Sequence, residues 1–218
     1  MIHFRSFFLL VLFIWSHQIL ADHAQLKFVG NPTGSVEVGE KKIPIYGEAK
    51  IFHPGAPEGT TVYLTGAGVR KKKIAFIDAD CYVISSYVKD PAIVNPKDPM
   101  TTIADQSSKA VYLVMVRDIS ADLIRSSFED SLEANDVDLE KPGIRDLLSK
   151  ITFDMPESQS VSFLGIHQKG REYVHAETSM GNKFSSEDEI LSRDFWSSWF
   201  GISVDAHMAN LKSKLIGQ

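Results

Sequence analysis

Residues 110–132 read AVYLVMVRDISADLIRSSFEDSL, and the periodicity of the chain changes inside this stretch. The first seven residues, Ala110 to Val116, are almost wholly apolar and rich in β-formers. That is the pattern of a strand covered on both faces. Four residues on, Ser120 is placed to cap a helix in which Ile124, Phe128 and Leu132 recur every fourth position. Upstream of this junction the chain alternates as strands do; downstream it reads mainly as helices.

Working back, apolar residues alternate at Leu26 and Phe28, at Val36 and Val38, at Ile43 and Ile45, and at Ala49 and Ile51, with a turn at Asn31-Pro32-Thr33-Gly34. Residues 53–59, HPGAPEG, read as a loop from their proline and glycine content. A strand from Val62 runs through Leu64 to Arg70. Ile74 to Ile77 and Tyr82 to Val88 are further β-prone stretches, and Pro91, Pro96 and Pro99 mark a long connection. Working forward, Asn135 and Asp136 end the first helix. Pro142 fits the first position of a second, which carries Ile144, Leu147, Leu148 and Ile151. Val161–Ile166 and Glu172–Ala176 form a hairpin about Gln168-Lys169-Gly170. Ser186 with Glu189 has the spacing of a capping box, ahead of Leu191, Phe195 and Trp199 and a stop at Gly201. Val204, Met208, Leu211 and Leu215 line a last helix, followed by Gly217. The expected class is α+β, an antiparallel sheet with helices on one face.

The 218 residues are 44% hydrophobic and 23% charged with a net charge of −5, which suits a single domain and gives no sign of nucleic-acid binding. Arg5, the apolar run Phe7–Trp15 and Ala21 have the layout of a secretory signal peptide. Nine apolar residues are short for a bilayer span. We therefore expect residues 1–21 to be a signal peptide and 22–218 to be one domain in the periplasm or outside the cell, with no membrane span after cleavage. Cys81 is the single cysteine, so no intramolecular disulfide is expected, and its β-prone surroundings predict a buried, inert thiol. The glycine pattern at 66–68 lacks the third glycine of a dinucleotide fingerprint, and no Gly-x-Ser-x-Gly elbow occurs. His175 and Glu177 can share a strand face but have no third ligand nearby in sequence. Neither a metal nor a cofactor is expected. Trp196 and Trp199 read as packing residues that could also wall a cleft.

Four landmarks carry a family resemblance. LTGAGVR at 64–70 resembles the Gly-x-Gly-x-Arg signature of the chalcone isomerase superfamily, and CYVISSYV at 81–88 resembles a tyrosine-containing strand of its bacterial members. RDISAD at 117–122 is similar to their strand-to-helix junction. Phe195-Trp196 through Trp199-Phe200-Gly201, then Asp205, Leu211-Lys212 and Leu215-Ile216-Gly217, resembles their closing segment. The resemblance spans most of residues 60–217. It implies an open-faced β-sandwich, a large antiparallel sheet under a layer of helices, with a ligand cleft between.

It also implies a site. The superfamily arginine points into the cleft, which here is Arg70. Read alone, Arg70 merely opens the basic run Arg70-Lys71-Lys72-Lys73. A guanidinium fork matches a carboxylate or phenolate, and Gly66 and Gly68 permit either positive φ or a close neighbour. Tyr82, twelve positions on, stands where the plant isomerases have threonine and is nearer the plant fatty-acid binders, in which an arginine and a tyrosine hold the carboxylate. A phenol can donate to an acid while its ring packs on apolar surface. The helix from Ser120 to Leu132 has neither the tyrosine nor the asparagine of the plant enzymes. The resemblance thus implies a non-catalytic binder of a small amphipath such as a fatty acid or a phenolic compound, held by Arg70 and Tyr82. One alternative is an isomerase or lyase of a phenolic or enone compound with Arg70 as electrostatic catalyst; another is a structural or partner-binding protein without a ligand.

Overall fold

The structure, a computed structural model, describes residues 23–74 and 76–217, so the expected signal segment lies outside the described residues. Eight strands form one antiparallel sheet. They are β1 (Gln25–Val29), β4 (Glu48–His53), β5 (Ala56–Ile74), β6 (Ile77–Val88), β7 (Ser108–Met115), β8 (Ser160–Gln168), β9 (Arg171–Thr178) and β10 (Lys183–Asp188), side by side in that order. A separate hairpin, β2 (Gly34–Val38) with β3 (Lys41–Ile45), is inserted between β1 and β4. Helices α1 (Pro99–Ala104), α2 (Ala121–Glu133), α3 (Pro142–Ser149), α4 (Leu191–Phe200) and α5 (Ala206–Leu215) complete an α+β fold.

Alternation along the strands divides the core in two. On β7, Val111, Leu113 and Met115 face the helices and pack with Phe128, Leu147, Phe195 and Trp199. Ala110 faces the other way, with Ala49, Ile51, Val62, Tyr87 and Leu164. The sheet curls enough for β1 to reach across this second face. Phe28 of β1 meets Tyr112 of β7 edge-on at 4.8 Å and stacks on Tyr46 at 4.4 Å.

Several local expectations are corrected. The ladder between β4 and β5 continues to His53↔Ala56, so the supposed loop at 53–59 shrinks to a turn at 54–55. The stretch from Ile74 to Ile77 is the bend between β5 and β6, with Ile74 paired to Ile77 and Phe76 almost fully exposed. The proline-marked connection contains α1, capped by Asp98, whose carboxylate accepts the Thr101 N–H. Ser186 caps nothing. It lies in β10 opposite Val174 and donates to the Gly143 carbonyl. The amide of Arg193, in the first turn of α4, instead donates to Glu172 Oε2 on β9, so a carboxylate from the sheet does the work of a local cap. Val204 precedes α5, which starts at Ala206 with Asp205 as its N-cap.

Lys109 on β7 is fully buried. Its ammonium donates to the carbonyls of Ala104 and Gln106 at the end of α1, lies 4.0 Å from Glu172 and sits over the Trp196 ring. A cation thus closes the C-terminus of α1 while its carboxylate partner closes the N-terminus of α4, each on the favourable side of the helix dipole. Burial, opposed by Glu172, lowers the Lys109 pKa to about 8.

Gly66 and Gly68 let α5 lie directly on β5. A Cβ at Gly66 would run into the Lys214 carbonyl oxygen and lie 2.8 Å from the Leu215 carbonyl carbon. One at Gly68 would lie 2.9 Å from Leu211 Cδ1. Neither glycine has positive φ, so of the two reasons for glycine here, close approach is the one that applies.

Gly66→Ala should cost about 3 kcal/mol in urea unfolding, the upper end for overpacking, because the obstacle is helix backbone and not a side chain that can turn aside. For Lys109, an unfolded lysine keeps its proton to near 10.5, whereas the folded one loses it near 8. The unfolded chain therefore binds more protons between these values, and stability should rise with pH across that window by up to ~1.4 kcal/mol per unit. Lys109→Met should flatten this rise in unfolding curves recorded from pH 8 to 10.

Candidate ligand cavity

Between the helix-facing side of the sheet and helices α2, α4 and α5 lies a cavity of about 290 Å³. Leu113, Met115 and Phe163 form its floor, and Phe128, Trp199 and Met208 come from the three helices. These walls follow from the strand alternation and from helix stripes that meet it.

Arg70 and Tyr82 both line this cavity, directly opposite each other across the β5–β6 ladder and therefore on the same face. The ladder slips by one residue immediately after this pair, which places Cys81 opposite the irregularity. Arg70 is buried, unlike Lys71 and Lys73 beside it. Burial pushes the Tyr82 hydroxyl up, with the Trp199 indole and Arg70 acting against this, so the phenol is a neutral donor and not a base. Cys81 is also buried in the lining, and burial raises its pKa above the ordinary thiol value.

Arg70 is not a free cation. Its Nη1 and Nη2 donate to Asp205 Oδ1 and Oδ2 at 2.9 and 2.7 Å, and Nη1 also donates to the Lys71 carbonyl. Asp205 is at once the α5 cap, accepting the Met208 N–H at 2.7 Å. Burial pushes its carboxyl up, but the bonds from Arg70 and Met208 outweigh this and hold it below the usual carboxylate range. Of the five guanidinium N–H donors, Nε–H and the Nη2–H beside it make no bond among the described residues. That edge is a second fork, in the guanidinium plane but turned away from the one Asp205 occupies.

Lys72, Ser127, Asp130, Ser131 and Ser198 also border the cavity. Lys72 approaches Ser127 at 3.3 Å and Asp130 at 4.0 Å on α2. The Ser198 hydroxyl on α4 is buried, borders the cavity and has no partner among the described residues. Neither Asp205 nor Ser198 stands out in the sequence as a site residue. Asp205 could have been found from its place before an apolar helical stripe; Ser198, between Ser197 and Trp199, carries no comparable signal. The two tryptophans separate: Trp199 walls the cavity, whereas Trp196 packs away from it against Lys109.

His175 and Glu177 lie elsewhere. His175 meets His23 edge-on at 5.4 Å, and burial, with His23 and His53 adding to it, lowers its pKa to about 4. Glu177 pairs with Lys183 at 2.8 Å. No group of three or more metal-ligating side chains comes together among the described residues. No protein-family model matches the chain, and comparison with characterised proteins finds no significant relative.

Asp205→Ala removes a helix cap and leaves a buried guanidinium without its partner, which should cost about 2–4 kcal/mol. Asp205→Asn keeps the cap and should cost less. Adding Arg70→Met to Asp205→Ala should recover part of the loss, a coupling that a double-mutant cycle by chemical unfolding measures directly.

Proposed function

We propose that the protein is an exported, non-catalytic member of the chalcone isomerase-like group. It holds a small amphipathic ligand such as a fatty acid, with the apolar part in the cavity and the polar head at Arg70 and Tyr82. The observation that carries this reading is the cross-strand pairing of a buried arginine with a partly buried tyrosine on the wall of a mainly apolar cavity. A cavity of about 290 Å³ is at the lower end for small-molecule sites, so a long chain keeps its head at the mouth.

The ion pair sets the terms of binding. An acid group meets Arg70 through the unoccupied Nε–Nη2 edge or displaces Asp205, whose side chain is 34% exposed and can turn to water. A phenol or ester needs only the donors and does not compete. Catalysis on an enone draws less support. A charge-stabilising arginine is most useful where it is not already neutralised, and the phenol beside it is held protonated.

Native mass spectrometry of protein purified without detergent should show a bound amphipath, or an empty protein that takes up one equivalent of a long-chain acid. Arg70→Met should weaken that binding at least tenfold, and Tyr82→Phe by about fivefold, the worth of one net hydrogen bond. Asp205→Asn should tighten an acid while leaving a neutral analogue unchanged. A folded protein that arrives empty and takes up neither kind of ligand would end this reading.

A further inference from the structure

We infer that the tip of the β5–β6 hairpin is a membrane-docking element that seats the cavity mouth on a lipid surface. Beyond Arg70 and Cys81 the two strands have no further partners in the sheet: β4 pairs with β5 only as far as Tyr63, and β7 pairs with β6 only from Tyr82. Residues 71–74 and 77–80 therefore project as a two-stranded ribbon about 13 Å long, at ~3.3 Å per residue. Its end carries Phe76, 96% exposed, and Ile77, 72% exposed. An apolar pair left in water at the end of a ribbon has no packing purpose inside this chain.

The charges fit the same occupant. Lys71, Lys72 and Lys73 follow one another on β5, three to five residues before Phe76, at the depth where ammonium groups meet lipid headgroups. Two of the three are shared with carboxylates, Lys71 with Asp80 at 3.2 Å and Lys72 with Asp130 at 4.0 Å, while Asp78, opposite Lys73, meets His207 at 3.1 Å. Lys73 has no ion-pair partner among the described residues. A protein partner fits less well. Two side chains on a narrow projection offer far less than the roughly 800 Å² per side of a stable protein interface, whereas a bilayer accepts a wedge of this size. Apolar side chains also reach the surface at the cavity, beside Lys72 and Asp130. Leu123 and Val204 line the cavity and remain partly exposed, and Ile202 is exposed two residues before Val204. The docking itself does not depend on the ligand reading; only its use, passing an amphipath between bilayer and cavity, rests on it.

The test uses the full chain with an environment-sensitive fluorophore on Phe76→Cys. Cys81 is buried with a raised pKa, so labelling goes to position 76. A second sample labelled on Lys97→Cys, on the exposed connection before α1, controls for general association. With vesicles of phosphatidylglycerol and phosphatidylethanolamine, the label at 76 should shift to the blue and brighten several-fold, while that at 97 stays in water. Lys73→Gln should weaken the partitioning by about fivefold, since a juxtamembrane basic residue is worth ~1 kcal/mol, and Lys71→Gln, whose ammonium is shared with Asp80, by less. Phe76→Ser with Ile77→Ser should lower the vesicle-bound fraction at least tenfold without changing the thermal transition or acid binding. A label at 76 that stays in water while the protein sediments with vesicles, or one that responds only to protein concentration, would overturn the inference. The second result would assign the tip to contact with another copy of the chain. Loss of ligand binding with docking intact would overturn the ligand reading alone.

Discussion

Helix α5 can lie on β5 only because two positions beneath it have no side chain. Gly66 and Gly68 bring helix backbone against strand backbone, and everything at the polar edge of the cavity follows from that contact. It fixes where α5 begins, and so where its cap, Asp205, stands. Even a single Cβ beneath the helix would lift the cap away from Arg70.

The fold handles two buried cations in different ways. Lys109 is surrounded by carbonyls, a distant carboxylate and an indole face, and it fastens α1 and α4 to the sheet. Nothing about it is open to a ligand. Arg70 is held on one edge and left unbonded on the other, at the wall of a cavity. A fully satisfied buried charge specifies structure; a half-satisfied one next to empty space is where chemistry or binding can occur.

Much of this was legible in the sequence because the signals were local. Period-two alternation identified the early strands and a continuous apolar run identified β7, and residues four apart identified α2, α4 and α5. The failures have physical causes. Helix α1 has six residues, starting at Pro99, too few for any period to emerge. Ser186 and Glu189 have the spacing of a cap, but pairing with β9 extends the strand through them, and Glu172 serves the helix instead. For the site, Arg70 and Tyr82 were read from a motif resemblance, and their pairing follows from one hairpin. The neutralisation of Arg70 by Asp205 could not be read from the sequence, because 135 residues separate the partners and neither has a local pattern that points to the other.

From β4 onward, each strand of the large sheet pairs with the next one along the chain, through hairpins from β4 to β6 and from β8 to β10 and across helical connections between β6, β7 and β8, so most of the sheet forms from contacts between neighbouring segments. The closure made by α5 is of the opposite kind. A ribosome must deliver every residue through α5 before the far wall of the cavity exists, and until then the apolar floor and the guanidinium face water. The competent pocket thus matures after the sheet, and chains that stop short of residue 205 carry an arginine without the carboxylate that pairs it, a built-in distinction between finished and unfinished molecules.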